Sequence, residues 1–240
     1  MLFRSAGIFG IGQKPSGTKD PFALRRTAIG VLRILLEQRR DLDIGALVEA
    51  AVALQPVKTA TTAAEVREFI IERLRAHALE AGHPSEAFDA VLASGSTRPL
   101  DLMARLEALA AFRRLPEAEA LAAANKRIAN ILRKSDGGGA AASPDAVAAR
   151  IDPSRLSVEA EKVLHGALDA MAPEVHAALK AGRYNDALTR LASLRPAVDA
   201  FFTDVMVNDP DPVLRANRLA LVGRVREMFS GVADLSRLPG

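Results

Sequence analysis

The chain has 240 residues, 49% hydrophobic and 25% charged, with a formal net charge of +3; this suits one large globular domain or two small ones, and the charge alone does not indicate a nucleic-acid partner. It has no Cys, which excludes a disulfide framework, thiolate metal sites and a cysteine nucleophile, and no run of about 18 uncharged apolar residues, so no membrane-spanning helix is expected. With one Tyr, nine Phe and no Trp against abundant Ala and Leu, helices are favoured over strands.

The opening Met1-Leu2-Phe3-Arg4-Ser5 is neither a signal nor a transit peptide. It reads as a cloning or assembly scar, with the natural chain extending upstream, and a Gly-rich stretch follows it. Asp20-Pro21 marks a helix start, since Asp caps and Pro fits a first turn. From Phe22 to Arg40, Leu24, Ala28, Val31, Leu32 and Leu35 fall on one helical face. A shorter helix is expected from Ile44 to Leu54, ended by Pro56. Thr62 and Glu65 have capping-box spacing, and Val66, Phe69, Ile70, Leu74 and Ala78 continue at helical intervals. His83-Pro84-Ser85 breaks the chain before Phe88, Val91 and Leu92. Helix signals resume at Pro99 with Leu102, Leu106 and Leu109, and Pro116 opens a helix running to Lys134.

The stretch 135–144 is rich in Gly, Ala and Ser and is expected to be a flexible loop. Beyond it, helices are expected near 157–180, 183–194, 196–206 and 212–235, the last with Leu214, Leu221, Val222, Val225, Met228 and Phe229 inward. No region sustains period-two alternation and no internal repeat is present. The fold class is all-α.

Charge is unevenly distributed. Residues 1–40 hold eight Lys/Arg against two acids; 121–134 hold Lys126, Arg127, Arg133 and Lys134 with no acid; 212–226 hold Arg215, Arg218, Arg224 and Arg226 with no acid. Such runs form either a positive strip or ordinary solvated helix faces.

Signatures of catalysis are weak. Gly10 and Gly12 start a G-x-G, but Pro15 stands where the third glycine belongs and no strand precedes it. Gly12 to Lys19 superficially resembles a phosphate loop, but Thr18 and Lys19 are in the wrong order to reach phosphate and magnesium. His77, His83, His165 and His176 form no metal-binding pair. Glu117/Glu119 and Asp209/Asp211 sit near helix starts, where the helix dipole accounts for them. No nucleophile has a base beside it, so no catalytic residue and no metal site are expected.

Three segments together resemble one family. The first is Ile11-Gly12-Gln13-Lys14-Pro15-Ser16-Gly17-Thr18-Lys19-Asp20-Pro21-Phe22-Ala23-Leu24-Arg25-Arg26. The second is Asn125-Lys126-Arg127-Ile128-Ala129-Asn130-Ile131-Leu132. The third runs from Pro196-Ala197-Val198-Asp199-Ala200-Phe201-Phe202 through Val205-Met206-Val207-Asn208 and Leu214-Arg215-Ala216-Asn217-Arg218-Leu219-Ala220-Leu221 to Val232-Ala233-Asp234-Leu235. In order and spacing they resemble the C-terminal part of the beta subunit of bacterial heterotetrameric glycyl-tRNA synthetase, from about Gly7 to the end. The later segments are also similar to the anticodon-binding helical domain of arginyl-tRNA synthetases.

The resemblance implies an all-helical subunit fragment of a cytoplasmic ligase. Residues 1–97 would be the end of a middle helical domain resembling metal-dependent phosphohydrolases, plus connecting helices, and residues 98–240 an anticodon-binding domain. The partners implied are tRNA(Gly) and the alpha subunit of an alpha2beta2 enzyme. ATP and Mg would act through the alpha subunit, with no cofactor in this fragment. Candidate tRNA-binding residues are Lys126, Arg127, Asn130, Arg215, Asn217 and Arg218. Lys14, Lys19, Arg25 and Arg26 are weaker candidates for tRNA or partner contact, in a segment whose turn residues favour a structural role. Basic side chains suit phosphates and Asn suits an unstacked base edge, although an internal polar network would explain Lys126, Arg127, Asn130, Asn217 and Arg218 equally well. Phe201 and Phe202 are read chiefly as core, with base stacking as the alternative. The rival functions are a module that docks the alpha subunit, the C-terminal domain of an arginyl-type enzyme and, more remotely, a residual phosphohydrolase.

Overall fold

The computed structural model describes residues 1–135 and 151–239, so the stretch expected to be a loop at 135–144 lies, beyond Ser135, outside the described residues. Among the described residues there are eleven α-helices and no strand. They are α1 (Leu2–Gly10), α2 (Leu24–Glu37), α3 (Ile44–Ala53), α4 (Thr62–Glu80), α5 (Ser85–Leu92), α6 (Pro99–Phe112), α7 (Ala118–Ser135), α8 (Glu159–Lys180), α9 (Tyr184–Ala192), α10 (Arg195–Asp204) and α11 (Pro212–Ser230). None is long and apolar enough to cross a membrane.

The chain divides into two compact units, one of Met1–Phe88 with Gly95–Ala104 and one of Asp89–Ser94 with Arg105–Gly240. Residues 97 and 98, on either side of the boundary expected from the sequence, both lie in the first unit.

In the first unit α1 packs on α2, α3 and α4, and α4 packs on α2 and α3. Leu24, Leu32, Leu35, Ile44, Val48, Val66, Ile70 and Leu74 form its core. The Gly-rich opening, to which the sequence reading assigned no element, is helical over Leu2–Gly10. Its glycines serve close approach: a Cβ on Gly10 would lie 2.3 Å from the Val57 carbonyl oxygen, and one on Gly7 2.7 Å from Gln55 Oε1. Removing the side chain costs helix propensity but admits the neighbouring backbone. Arg4 and Ser5 are part of this packing, Arg4 donating to the Thr27 hydroxyl at 2.6 Å and Ser5 lying buried.

Two helix starts differ from expectation. Pro21 is not in the first turn of α2; a turn intervenes, with Ala23 left-handed at φ 53°, and the helix begins at Leu24. Asp20 still caps it, accepting the N–H groups of Leu24 (2.8 Å) and Arg25 (2.9 Å). Burial pushes the Asp20 carboxyl up, but these amides and the Arg25 charge hold it below its ordinary value. At α4 the box formed by Thr62 and Glu65 is absent: Thr62 is buried, its hydroxyl accepting the Thr59 N–H, while Glu65 accepts from the Thr61 hydroxyl and from Lys14. Asp43 caps α3 through the Ala46 N–H (3.0 Å) and accepts the Thr97 hydroxyl (2.7 Å). Arg98 pairs with Asp41 beside it.

In the second unit α8 is the hub, packed by α9, α10 and α11, while α7 lies against α10, α11 and the 3-10 turn Leu235–Arg237. Leu106, Leu109, Phe112, Leu121, Ile128, Leu164, Leu168, Phe201, Leu221 and Phe229 fill the core. The carbonyls of Gly231 and Val232, after the end of α11, accept from Arg105 at 2.6 and 3.2 Å, as a cation placed at a helix C-terminus favours.

Candidate nucleic-acid interface

On α7 the apolar positions Leu121, Ile128 and Leu132 turn inward and are buried. Helical periodicity therefore sends Lys126, Asn130 and Lys134, each one turn apart, to the opposite side, with Arg127 beside them. All four are exposed. Together with Ala123, Ile131 and Asn208 they line an open cleft of about 450 Å³. Among the described residues no carboxylate lies within ion-pair distance of Lys126, Arg127 or Lys134. Asn130 Oδ1 accepts from Arg133 at 3.0 Å, which fixes the amide on the cleft rim. Asn125, one turn from Ala129 on the inner side, is buried and donates to the Leu121 carbonyl.

Opposite α7 the cleft is lined by Asn208, in the segment after α10, and α10 itself meets Arg127 through Phe202. Phe201 is fully buried, as expected, whereas Phe202 is only half-buried and so departs from the core reading. The Arg127 guanidinium carbon lies 4.2 Å from the centre of the Phe202 ring, a cation–π contact worth about 0.5–1 kcal/mol at an exposed site. Met206 and Asn208 follow, both exposed.

The α11 candidates are placed differently. Arg218 is 5% exposed. Its Nε donates to Glu161 Oε1 (2.5 Å), and its Nη1 to Asp209 Oδ2 (2.6 Å) and the Met206 carbonyl (3.0 Å). Burial opposes the charge on Arg218, but the Glu161 and Asp209 carboxylates outweigh it and raise its pKa further. The Asp211 N–H, then the Arg218 guanidinium, hold Asp209 below the ordinary carboxylate value against the effect of burial. Asn217 is 7% exposed; its Oδ1 accepts the Asp152 N–H at 2.8 Å and its Nδ2 donates to the Asp152 carbonyl at 3.1 Å. Arg215 is half-buried and donates to the Asp209 carbonyl at 3.1 Å. Asn217 and Arg218 are thus buried in internal contacts that tie the segments 152–161 and 206–209 to α11, with Arg215 half-buried beside them.

The first-unit candidates separate too. Lys14 pairs with Glu65 at 2.7 Å and Arg25 donates to the Gly17 carbonyl at 2.6 Å. Lys19 and Arg26 stay exposed. The N-terminus of α2 holds the Asp20 carboxylate on the Leu24 and Arg25 N–H groups, where a phosphate would otherwise bind.

Sequence reasoning placed Lys126, Arg127 and Asn130 together but omitted Lys134 and Asn208. The spacing 126, 130, 134 carried the signal for Lys134. For Asn208 no local signal existed, since only the packing of α10 on α7 brings it near.

Two family models match the chain: one described as "Glycyl-tRNA synthetase beta subunit" over residues 3–93, and one described as "DALR anticodon binding domain" over residues 121–235. Among curated proteins, the "Glycine--tRNA ligase beta subunit" of Ectopseudomonas mendocina is 49% identical over 234 residues, 97% of this chain and 33% of that protein. The proteins of the same name from Pseudomonas aeruginosa strain LESB58 (49%, covering 97% and 33%) and Klebsiella pneumoniae (46% over 235 residues, covering 97% and 33%) are similar to a like extent. The chain spans about a third of the length of these relatives.

Proposed function

The chain belongs to the glycyl-tRNA synthetase beta subunit family, and on that premise we propose that its second unit binds tRNA(Gly) and recognises the anticodon arm in support of glycyl-tRNA aminoacylation. The observation that carries this reading is the α7 face, where Lys126, Arg127 and Lys134 stand exposed and free of described carboxylate partners around a cleft that also presents Asn130 and Asn208. Cations without carboxylate partners are available to phosphates, and amides on a cleft rim suit the edges of unstacked bases. In this reading residues 98–240 act as the anticodon-binding domain and the first 97 residues as its lead-in. The bond-making chemistry, with ATP and Mg, belongs to an alpha subunit, and the setting is the cytoplasm.

The test is binding of the 240-residue chain to tRNA(Gly) and to the same tRNA with an altered anticodon, across a salt series. Selective binding that weakens with salt is the expected result. A folded chain that binds both tRNAs equally, or neither, contradicts it.

A second reading, docking of the alpha subunit, is favoured by one feature of the first unit. Helix α2 exposes Ile29 and Ile34, and a groove of about 140 Å³ between α2 and α4 is lined by Ile29, Leu32, Leu36 and Ala76 together with Arg33, Glu37, Arg73, His77 and Glu80. An apolar surface of this kind suits a protein partner more than RNA. Loss of alpha-subunit capture by Ile29→Asp with tRNA binding intact would assign docking to the first unit.

A further inference from the structure

The contact between Arg127 and Phe202 is more than a charge placed in a basic cleft. Phe202 is held from behind: its neighbour Phe201 is fully buried and meets it edge-on, with ring centres 5.5 Å apart and planes at 77°. Arg127 lies over the face of the Phe202 ring and has no carboxylate partner among the described residues. A guanidinium in this position is a delocalised, weakly hydrated group, steadied by the ring on one side and exposed on the other. Lys126 and Lys134 flank it along α7, and the amides of Asn130 and Asn208 stand at the cleft edge. Asn130 is oriented by Arg133, and the Asn208 segment is anchored through the Met206 carbonyl and Asp209 to the buried Arg218. Both walls of the cleft are therefore held in place before any ligand arrives.

We propose that the Arg127–Phe202 pair is a stacking platform for one unpaired nucleobase of the bound RNA, with Asn130 and Asn208 facing the edge of that base and Lys126 and Lys134 serving the adjoining phosphates. This deepens the tRNA-binding reading of the same cleft and rests on it. Aromatic rings and guanidinium planes both stack on splayed bases, and stacking tolerates salt where phosphate contacts do not. A purely electrostatic patch would need no ring at position 202, and a lysine at position 127 would serve it as well as an arginine.

The probe is the anticodon stem-loop of tRNA(Gly), carrying 2-aminopurine at each loop position in turn, titrated with the 240-residue chain and its variants. Arg127→Lys keeps the charge and removes the plane; Phe202→Leu keeps an apolar group and removes the ring. Each is expected to weaken binding about tenfold and to abolish the emission change at one loop position. Neither should alter the slope of log affinity against log salt. Lys134→Gln should lower that slope by about one and keep the emission change. The platform is refuted if Arg127→Lys and Phe202→Leu bind with wild-type affinity and emission change, leaving only a charged cleft and the parent reading intact. If the unaltered chain fails to bind the stem-loop, the parent reading falls and the platform with it. Should Phe202→Leu lose its helical circular dichroism, Arg127→Lys decides alone, since its side chain is at the surface.

Discussion

Within the second unit, α7 and α11 carry matched charge: four Lys/Arg over 121–134 and four over 212–226, without an acid in either stretch. On α11 all four arginines meet protein. Arg215 holds the Asp209 carbonyl, Arg218 is enclosed by Glu161 and Asp209, Arg224 pairs with Asp169 at 2.6 Å and Arg226 with Asp234 at 3.4 Å. On α7 only Arg133 has a described protein acceptor, and that is the neutral amide of Asn130. Local charge thus says how many cations a helix carries, but their use is decided by acids on other elements. The acids that meet α11 come from the first turn and the middle of α8, the loop after α10 and the C-terminal turn.

If that contrast is sound, the largest effect should come from the most enclosed pair. Arg218→Met leaves the Glu161 carboxylate buried without its cation, held only by the Val158 N–H, and should cost about 3–5 kcal/mol, read by chemical denaturation. Asn217→Ala takes the partner from the Asp152 N–H, while the Asp152 carbonyl keeps the Arg155 N–H, and should cost about 1 kcal/mol in the same assay. Arg218→Met should also loosen the segment bearing Met206 and Asn208, seen as faster amide exchange there. Stability unchanged by either substitution would break the contrast, because α11 would then be as free as α7.

How much of this could be read beforehand follows the same line. The helices were legible because apolar spacing is local: Leu102, Leu106 and Leu109 are all fully buried. The helix starts were less so, since Pro21 lies one turn before the start of α2 and Thr62 one residue past the cap position of α4. Helix α1 was missed because its glycines look like breakers until Val57 and Gln55 are seen pressing on them. At the site, the exposed α7 face was readable from its own periodicity. The inward turn of Asn217 and Arg218 was not, because Asp152 and Glu161 lie 65 and 57 residues away. Phe202 sits beside a core residue in the sequence and differs from it only by which way α10 rolls.

A smaller effect sharpens the comparison through pH. Asp209 in the second unit titrates below the ordinary carboxylate range, held first by the Asp211 N–H. Asp43 in the first does so too, held first by the Thr97 hydroxyl and then by the Ala46 N–H. A carboxylate depressed in the folded state stabilises above its unfolded pKa, and this stability fades as pH falls through the folded value. The thermal midpoint should therefore be flat from about pH 7 to 5 and fall below about pH 4. Asp209→Asn should shrink that acid-induced fall; an undiminished fall would mean that Asp209 is not part of it.

The most direct test pairs function with stability on α7. The double variant Lys126→Gln/Lys134→Gln should keep the wild-type thermal midpoint, because surface changes away from internal contacts shift stability by no more than about 0.5 kcal/mol. Its tRNA(Gly) binding should weaken, with the salt slope reduced by nearly two, about one for each phosphate left without its lysine. A variant that binds with the wild-type slope would show that the α7 face does not meet the RNA.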